Sequence, residues 1–250
     1  MYSNDVLDTA AISLRVQQYM RTLIKTTKVI DMLPSAITVT AMFITNVHTT
    51  PSPLVILFSL QEERSTNWYN ESVASLKKYG YDHILMSATH KINADDTLKS
   101  FGVTLTHKNP GQRGCWASHL RAWAMQEYVK RPIISVEADT RAITQLDFIA
   151  PQALDYDILF MHDHDYREQK CKNARTINTN IRARYATGAM LFTGNTPFRN
   201  IIPLLKTHLP IGHWINLMDR TKKLKIGSYC PSLFYQRIDK PSIIQSLETR

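Results

Sequence analysis

Cysteine is scarce, with three in 250 residues, Cys115, Cys171 and Cys230. Their odd number and wide separation, without a CxxC pair, argue against a disulfide framework and point to a reducing compartment. Long apolar runs are missing too. No stretch reaches the roughly 18 residues that span a bilayer, and Ala36 to Val47 is short and studded with threonine. Asp5 and Asp8 stand where a secretory leader carries positive charge, so a cytoplasmic location is expected. Neither GxxxxGK[ST] nor GxGxxG occurs, nor the GxSxG nucleophile elbow. Ser118 and His119 are adjacent, and neighbours on a helix point about 100° apart, which excludes a Ser-His hydrolase pair. Acids are in deficit, 21 against 30 Lys and Arg, leaving a net charge of +9. That favours an anionic partner, whether nucleic acid, membrane headgroups or a phosphorylated substrate.

What is present is an ordinary globular composition, 44% hydrophobic and 20% charged, which excludes a disordered chain. The length suits one α/β domain or two small ones. Residues 4 to about 30 carry apolar side chains at roughly helical period, and Ile37 to Ile44 are compatible with a strand. The Pro-rich break at Thr49 to Pro53 separates an extension, residues 1–52, from a main domain, residues 53–250.

From Leu54 to Phe58 the run is continuously apolar, as in a strand buried on both faces of a parallel sheet. A helix is expected over Thr66 to Lys78, ended by Gly80, then a strand over Tyr81 to Met86. A helix over Cys115 to Val129 precedes a strand over Ile133 to Val136. Further strands are expected over Asp157 to Met161 and Ala183 to Phe192, then a helix over Pro197 to His208. Strands alternating with helices predict an α/β fold, a doubly wound, mostly parallel sheet flanked by helices. Its ligands bind outside the carboxyl ends of the strands.

Two strands end in acidic clusters at that edge. Glu137 and Asp139 follow Ile133-Ile-Ser-Val136, a spacing able to hold a hard cation such as Mg²⁺ or Mn²⁺. A strand running into a solvated loop carries the same residues. His162-Asp-His-Asp165 can supply a metal ligand, a general base or an acceptor contact, or be simply a polar loop. Gly111 to His119 reads as a glycine-containing helix entry, offering backbone N–H groups and Arg113 to an anion, or as a plain loop-to-helix turn. Lys170, Lys172, Arg175, Arg182 and Arg184 thicken one segment, and Arg220, Lys222, Lys223 and Lys225 another. Either can meet phosphates or form a solvated face.

Taken in order, Val55-Ile-Leu-Phe-Ser-Leu60 with Glu63-Arg64, Gly114-Cys-Trp-Ala-Ser-His-Leu-Arg-Ala-Trp123, Val136-Glu-Ala-Asp139 and Ala186-Thr-Gly-Ala-Met-Leu-Phe-Thr193 form a pattern. It resembles glycosyltransferase family 25, which contains lipooligosaccharide and collagen galactosyltransferases. The resemblance runs from about Leu54 to Gln236, and its specific part is the Gly-Cys-x-x-Ser-His-Leu run. Ala138 replaces the middle acid of the family's Glu-Asp-Asp, leaving Glu137 and Asp139 as a D-x-D-like pair. The family's late Asp beside Pro is also absent. Pro210-Ile-Gly-His-Trp214 offers His213 there, with Asp219 further on.

The resemblance implies a GT-A-type, metal-assisted, inverting transferase using a nucleotide sugar, a UDP-sugar first. Asp139, Glu137 and His213 are then the expected ligands of Mn²⁺ or Mg²⁺. Ser59, Arg64, Arg113, Ser118, His119 and Glu137 are the expected donor contacts, and Asp163, Asp165 or His162 the base on the acceptor hydroxyl. The implied acceptor is a lipopolysaccharide core, met at a membrane surface through the basic face. A DNA-modifying transferase acting on hydroxylated bases, as in bacteriophage, is the alternative. A third reading, from the loss at Ala138, is an inactive nucleic-acid-binding protein on the same fold.

Overall fold

A computed structural model describes residues 52–106, 108–146, 151–161, 176–178, 187–230 and 232–237. The helix and strand expected before residue 52 therefore lie outside the described residues.

The fold is built on β1 (Leu54–Ser59), whose six residues are all buried. Period-2 alternation divides them between two cores. Leu54, Ile56 and Phe58 join Trp116, Leu120, Trp123 and Phe192 on one face of the sheet. Val55 and Leu57 join Leu76, Ile134, Val136 and Leu191 on the other. A strand sandwiched in this way has no polar face, which explains its unbroken apolar sequence.

After a 3₁₀ turn over Gln61–Ser65, Thr66 caps α1 (Asn67–Lys78) by accepting from the Tyr69 N–H at 3.4 Å. Gly80, at φ +68°, closes the helix with a conformation that disfavours any side chain. The chain then enters β2 (His83–Ser87), parallel to β1. α2 (Ala94–Ser100) precedes the longest described helix, α3 (Pro110–Val129). Its cap is Asn109, whose side chain accepts from the Gln112 N–H at 3.1 Å, with Pro110 in the first turn. The helix thus starts five residues earlier than its apolar pattern indicates, and Gly111 to Gly114 lie inside it rather than in an entry loop.

β3 (Ile133–Glu137) pairs in parallel with the other side of β1. β4 (Thr140–Ala142) follows at once and pairs outside the main sheet with β9 (Phe234–Gln236), setting Thr140 opposite Gln236. β5 (Ile158–Phe160), β6 (Thr176–Asn178), β7 (Ala189–Phe192) and β8 (Ile226–Cys230) complete a seven-stranded sheet, in the order β2-β1-β3-β7-β5-β8-β6. β7 runs antiparallel to both of its neighbours, β3 and β5, and β6 runs antiparallel to β8. The sheet is therefore mixed but mostly parallel.

The strand expected over Ala183 to Phe192 is confined, among the described residues, to β7. The helix expected over Pro197 to His208 breaks into α4 (Phe198–Ile201) and a 3₁₀ turn over Ile202–Leu204. Pro203 lies in that turn, and its ring cannot continue an α-helix. α5 (Ile211–Arg220) then packs Trp214 against Trp116 of α3, edge to face at 5.3 Å between centroids.

Candidate functional site at the carboxyl edge of the sheet

The carboxyl ends of β1, β2 and β3 point to one edge, where the polar residues converge. Arg64, exposed beyond β1, donates from Nε to Ser59 Oγ at 3.1 Å and from Nη2 to Ser87 Oγ at 2.8 Å. Two strand ends thus hold one guanidinium at the edge.

Glu137 ends β3 and turns its Oε1 towards α3. His119 Nε2 lies 3.2 Å from that oxygen, Thr187 Oγ1 donates to it at 2.6 Å, and the Cys115 thiol approaches at 3.8 Å. Cys115 and His119 are four residues apart on α3, so both reach the same side of the helix. His119 is only 2% exposed, and its Nδ1 sits 2.9 Å from Ser135 Oγ. Cys115, His119 and Glu137 bring a sulfur, a nitrogen and an oxygen within 4.8 Å of one another.

Asp139 faces the other way. Its Oδ1 accepts from Thr140 Oγ1 at 3.3 Å and from Gln236 Nε2 at 3.3 Å, and Gln236 Nε2 also reaches Glu137 Oε2 at 3.1 Å. One amide on β9 therefore ties the two carboxylates together. Beside Asp139 opens a cavity of about 360 Å³, lined by Trp68, Glu71 and Ser72 of α1 with Arg141, Tyr235 and Arg237. Arg141 stacks over the Tyr235 ring at 5.4 Å and lies 3.7 Å from Glu71.

The electrostatics match this crowding. Burial, reinforced by the Glu137 charge, pushes the Asp139 carboxyl up to about 7, against the opposing hydrogen bonds from Gln236 and Thr140. Burial also raises Glu63 to about 7, opposed by the Leu60 N–H, while Asp139 and Glu137 add to the rise. The Cys115 thiol is pushed well up by burial and by Glu137. An edge that gathers three carboxylates, two of them with raised pKa values, is a candidate functional site.

The expected site residues divide accordingly. Ser59, Arg64, His119, Glu137 and Asp139 come together at this edge. Arg113 is turned towards α2, where its Nε meets Asp95 at 2.7 Å. Ser118 is 5% exposed and pins a loop, accepting from the Thr89 N–H and donating to the Gly114 carbonyl, both at 2.9 Å. His213 stands exposed on α5, outside the Cys115–His119–Glu137 group. His162, Asp163 and Asp165 lie outside the described residues, as do Lys170, Lys172, Arg175, Arg182 and Arg184.

Glu63, Thr187 and Gln236 were not foreseen as site residues. Glu63 alone had a local signal, an acid just beyond an apolar strand end. Thr187 and Gln236 reach Glu137 from 50 and 99 residues away in the chain.

No protein-family model matches the chain, and no curated protein matches it in sequence.

Proposed function

We propose that the protein is a nucleotide-sugar-dependent glycosyltransferase of GT-A type, similar to family 25, working at the carboxyl edge of β1 and β3. The observation that carries this reading is the cavity beside Asp139. A carboxylate steered by Gln236 and Thr140 meets a space of about 360 Å³ walled by two aromatic rings and two arginines. That volume falls within the range of small-ligand sites, roughly 300–1,000 Å³. Its lining suits a nucleoside diphosphate, with Trp68 and Tyr235 offering flat apolar surface to a base or sugar and Arg141 and Arg237 offering charge to phosphates.

The donor set also fits a hard cation. Asp139 would hold Mn²⁺ or Mg²⁺, with substrate phosphates completing the shell, and the ion would neutralise charge on the departing diphosphate. Glu137, with Oε1 turned to α3, contributes from behind through the shared Gln236 amide. Arg64, braced by Ser59 and Ser87, adds a fixed positive charge at the same edge. The acceptor hydroxyl needs a base, and the acidic segment after β5 with Asp163 and Asp165 supplies the candidates, together with Glu63, whose pKa of about 7 suits proton transfer near neutrality.

A lipopolysaccharide-type glycan is the acceptor that the family resemblance implies. The net charge of +9 favours a second reading, transfer to hydroxylated bases in DNA. The test incubates the protein and Mn²⁺ with a panel of nucleotide sugars, then with lipopolysaccharide core or hydroxymethylated DNA, and reads products by mass spectrometry. Donor turnover should fall about a hundredfold or more in Asp139→Ala. A protein inert towards every donor, with or without metal, would overturn the transferase reading and leave a nucleic-acid-binding protein.

A further inference from the structure

We propose that Cys115, His119 and Glu137 form a second cation site, one for a borderline-soft divalent ion of the zinc type. It is separate from the hard-cation position at Asp139 and independent of the transferase reading. Zinc is commonly held by sulfur, nitrogen and carboxylate oxygen, at about 2.0–2.3 Å, so tetrahedral ligand atoms lie roughly 3.3–3.7 Å apart. The present separations, 3.2 Å from His119 Nε2 to Glu137 Oε1 and 3.8 Å from Cys115 Sγ to the same oxygen, bracket that spacing. A Cys-x-x-x-His pair on one helix face, closed by a strand-end carboxylate, puts its three ligand atoms within 4.8 Å of one another, and small side-chain rotations would draw them onto one ion.

The surroundings hold each ligand in place. Ser135 is fully buried, and its Oγ lies 2.9 Å from His119 Nδ1 and 3.5 Å from the Met190 carbonyl. With a metal on Nε2, the Nδ1–H would donate to Ser135 Oγ, whose hydroxyl in turn donates to the Met190 carbonyl. This fixes the tautomer that leaves Nε2 as a ligand. Thr187 Oγ1, 2.6 Å from Glu137 Oε1, orients the carboxylate in the same way. Close approach of α3 is built in as well. A Cβ on Gly114 would come within 2.6 Å of the Thr89 carbonyl, so glycine lets the helix turn that carries Cys115 seat against the loop after β2. Sulfur and imidazole disfavour Mg²⁺ and Mn²⁺, which separates this site chemically from Asp139. Binding converts the Cys115 thiol to a metal thiolate, and its proton passes to solvent.

The test uses the full-length, reduced, chelator-stripped protein, titrated with Zn²⁺ and, in parallel, with Co²⁺. Expected are one tight Zn²⁺ per chain, proton release on binding, and a near-ultraviolet thiolate-to-cobalt charge-transfer band. Cys115→Ser should abolish the band, whereas Cys171→Ser with Cys230→Ser should retain it. Ser135→Ala should keep the stoichiometry but weaken Zn²⁺ by about 10- to 100-fold. That variant keeps all three ligands, so it covers the case in which Cys115→Ser fails to fold. Absence of tight Zn²⁺ binding by the wild type, a cobalt complex without the band, or a band that survives Cys115→Ser would each overturn the site. None of these readouts depends on sugar transfer.

Discussion

At the scale of single residues, the site is governed by how few hydrogen bonds hold its carboxylates. Gly188 lies beneath Gln236, and a Cβ there would meet Gln236 Cδ and Thr140 Oγ1, both at 2.7 Å. These two side chains are the ones that steer Asp139. Gly188→Ala should therefore push the Gln236 amide off Glu137 and Asp139 while the flexible side chain absorbs most of the strain. Thermal unfolding should show a loss of at most about 3 kcal/mol, and donor turnover should fall by about tenfold or more even where the protein stays fully folded. A variant with normal turnover would show that the amide tie is dispensable. Titration offers a second prediction. Glu63 rises from 4.5, and Asp139 from 3.8, to about 7 in the folded chain. A raised carboxyl pKa contributes stability that is full below the unfolded value and is lost as pH climbs through the folded one. In chelator, the melting temperature should drop between about pH 4.5 and pH 7, and Glu63→Gln should flatten that drop. Saturating Mn²⁺ should oppose it, since the ion favours the ionised carboxylates.

At the scale of elements, the legible parts were those whose burial pattern is local. β1 and β3 announce themselves because both faces are covered, and α1 because Thr66 and Gly80 mark its ends. The start of α3 is hard to place from sequence because Gly111 and Gly114 suit an entry loop, although Asn109 before Pro110 is a sound capping pair. β4 and β9 are three residues each, too short for any period to register. The reversed direction of β7 is set by its neighbours β3 and β5, and no local pattern encodes it. The same division runs through the site. Glu137 and Asp139 could be read from one strand end, whereas Gln236 depends on the β4–β9 pairing. The seating of α3 makes its own prediction. Gly114→Ala drives a Cβ against a backbone carbonyl that cannot rotate away, so α3 must lift from the loop that Ser118 pins through Thr89. Chemical denaturation should show about 1–3 kcal/mol lost. Zn²⁺ affinity should fall with it, because Cys115 and His119 ride on the same turn of helix.

For the whole molecule the question is what a net charge of +9 accomplishes. Among the described residues some of the positive charge is paired locally, with Arg141 beside Glu71, Arg113 on Asp95 and Arg131 on Asp82. In the proposed transferase a nucleotide donor would be gripped at short range by Arg64, Asp139 and the cavity walls, where a few ångströms leave little room for screening. The surplus acts differently, through a long-range field that falls off over about 8–10 Å at physiological salt. Such a field steers a large anionic acceptor and raises its capture rate without altering the chemistry. Ionic strength should consequently separate the two substrates. Raising salt from about 0.05 to 0.3 M should lower kcat/KM for a polyanionic acceptor by an order of magnitude or more. The KM for the donor, measured by its slow hydrolysis, should change by less than about twofold over the same range. Equal sensitivity of the two would place the surplus charge at the donor edge after all, and the acceptor would then have to be recognised by shape and hydroxyl contacts alone.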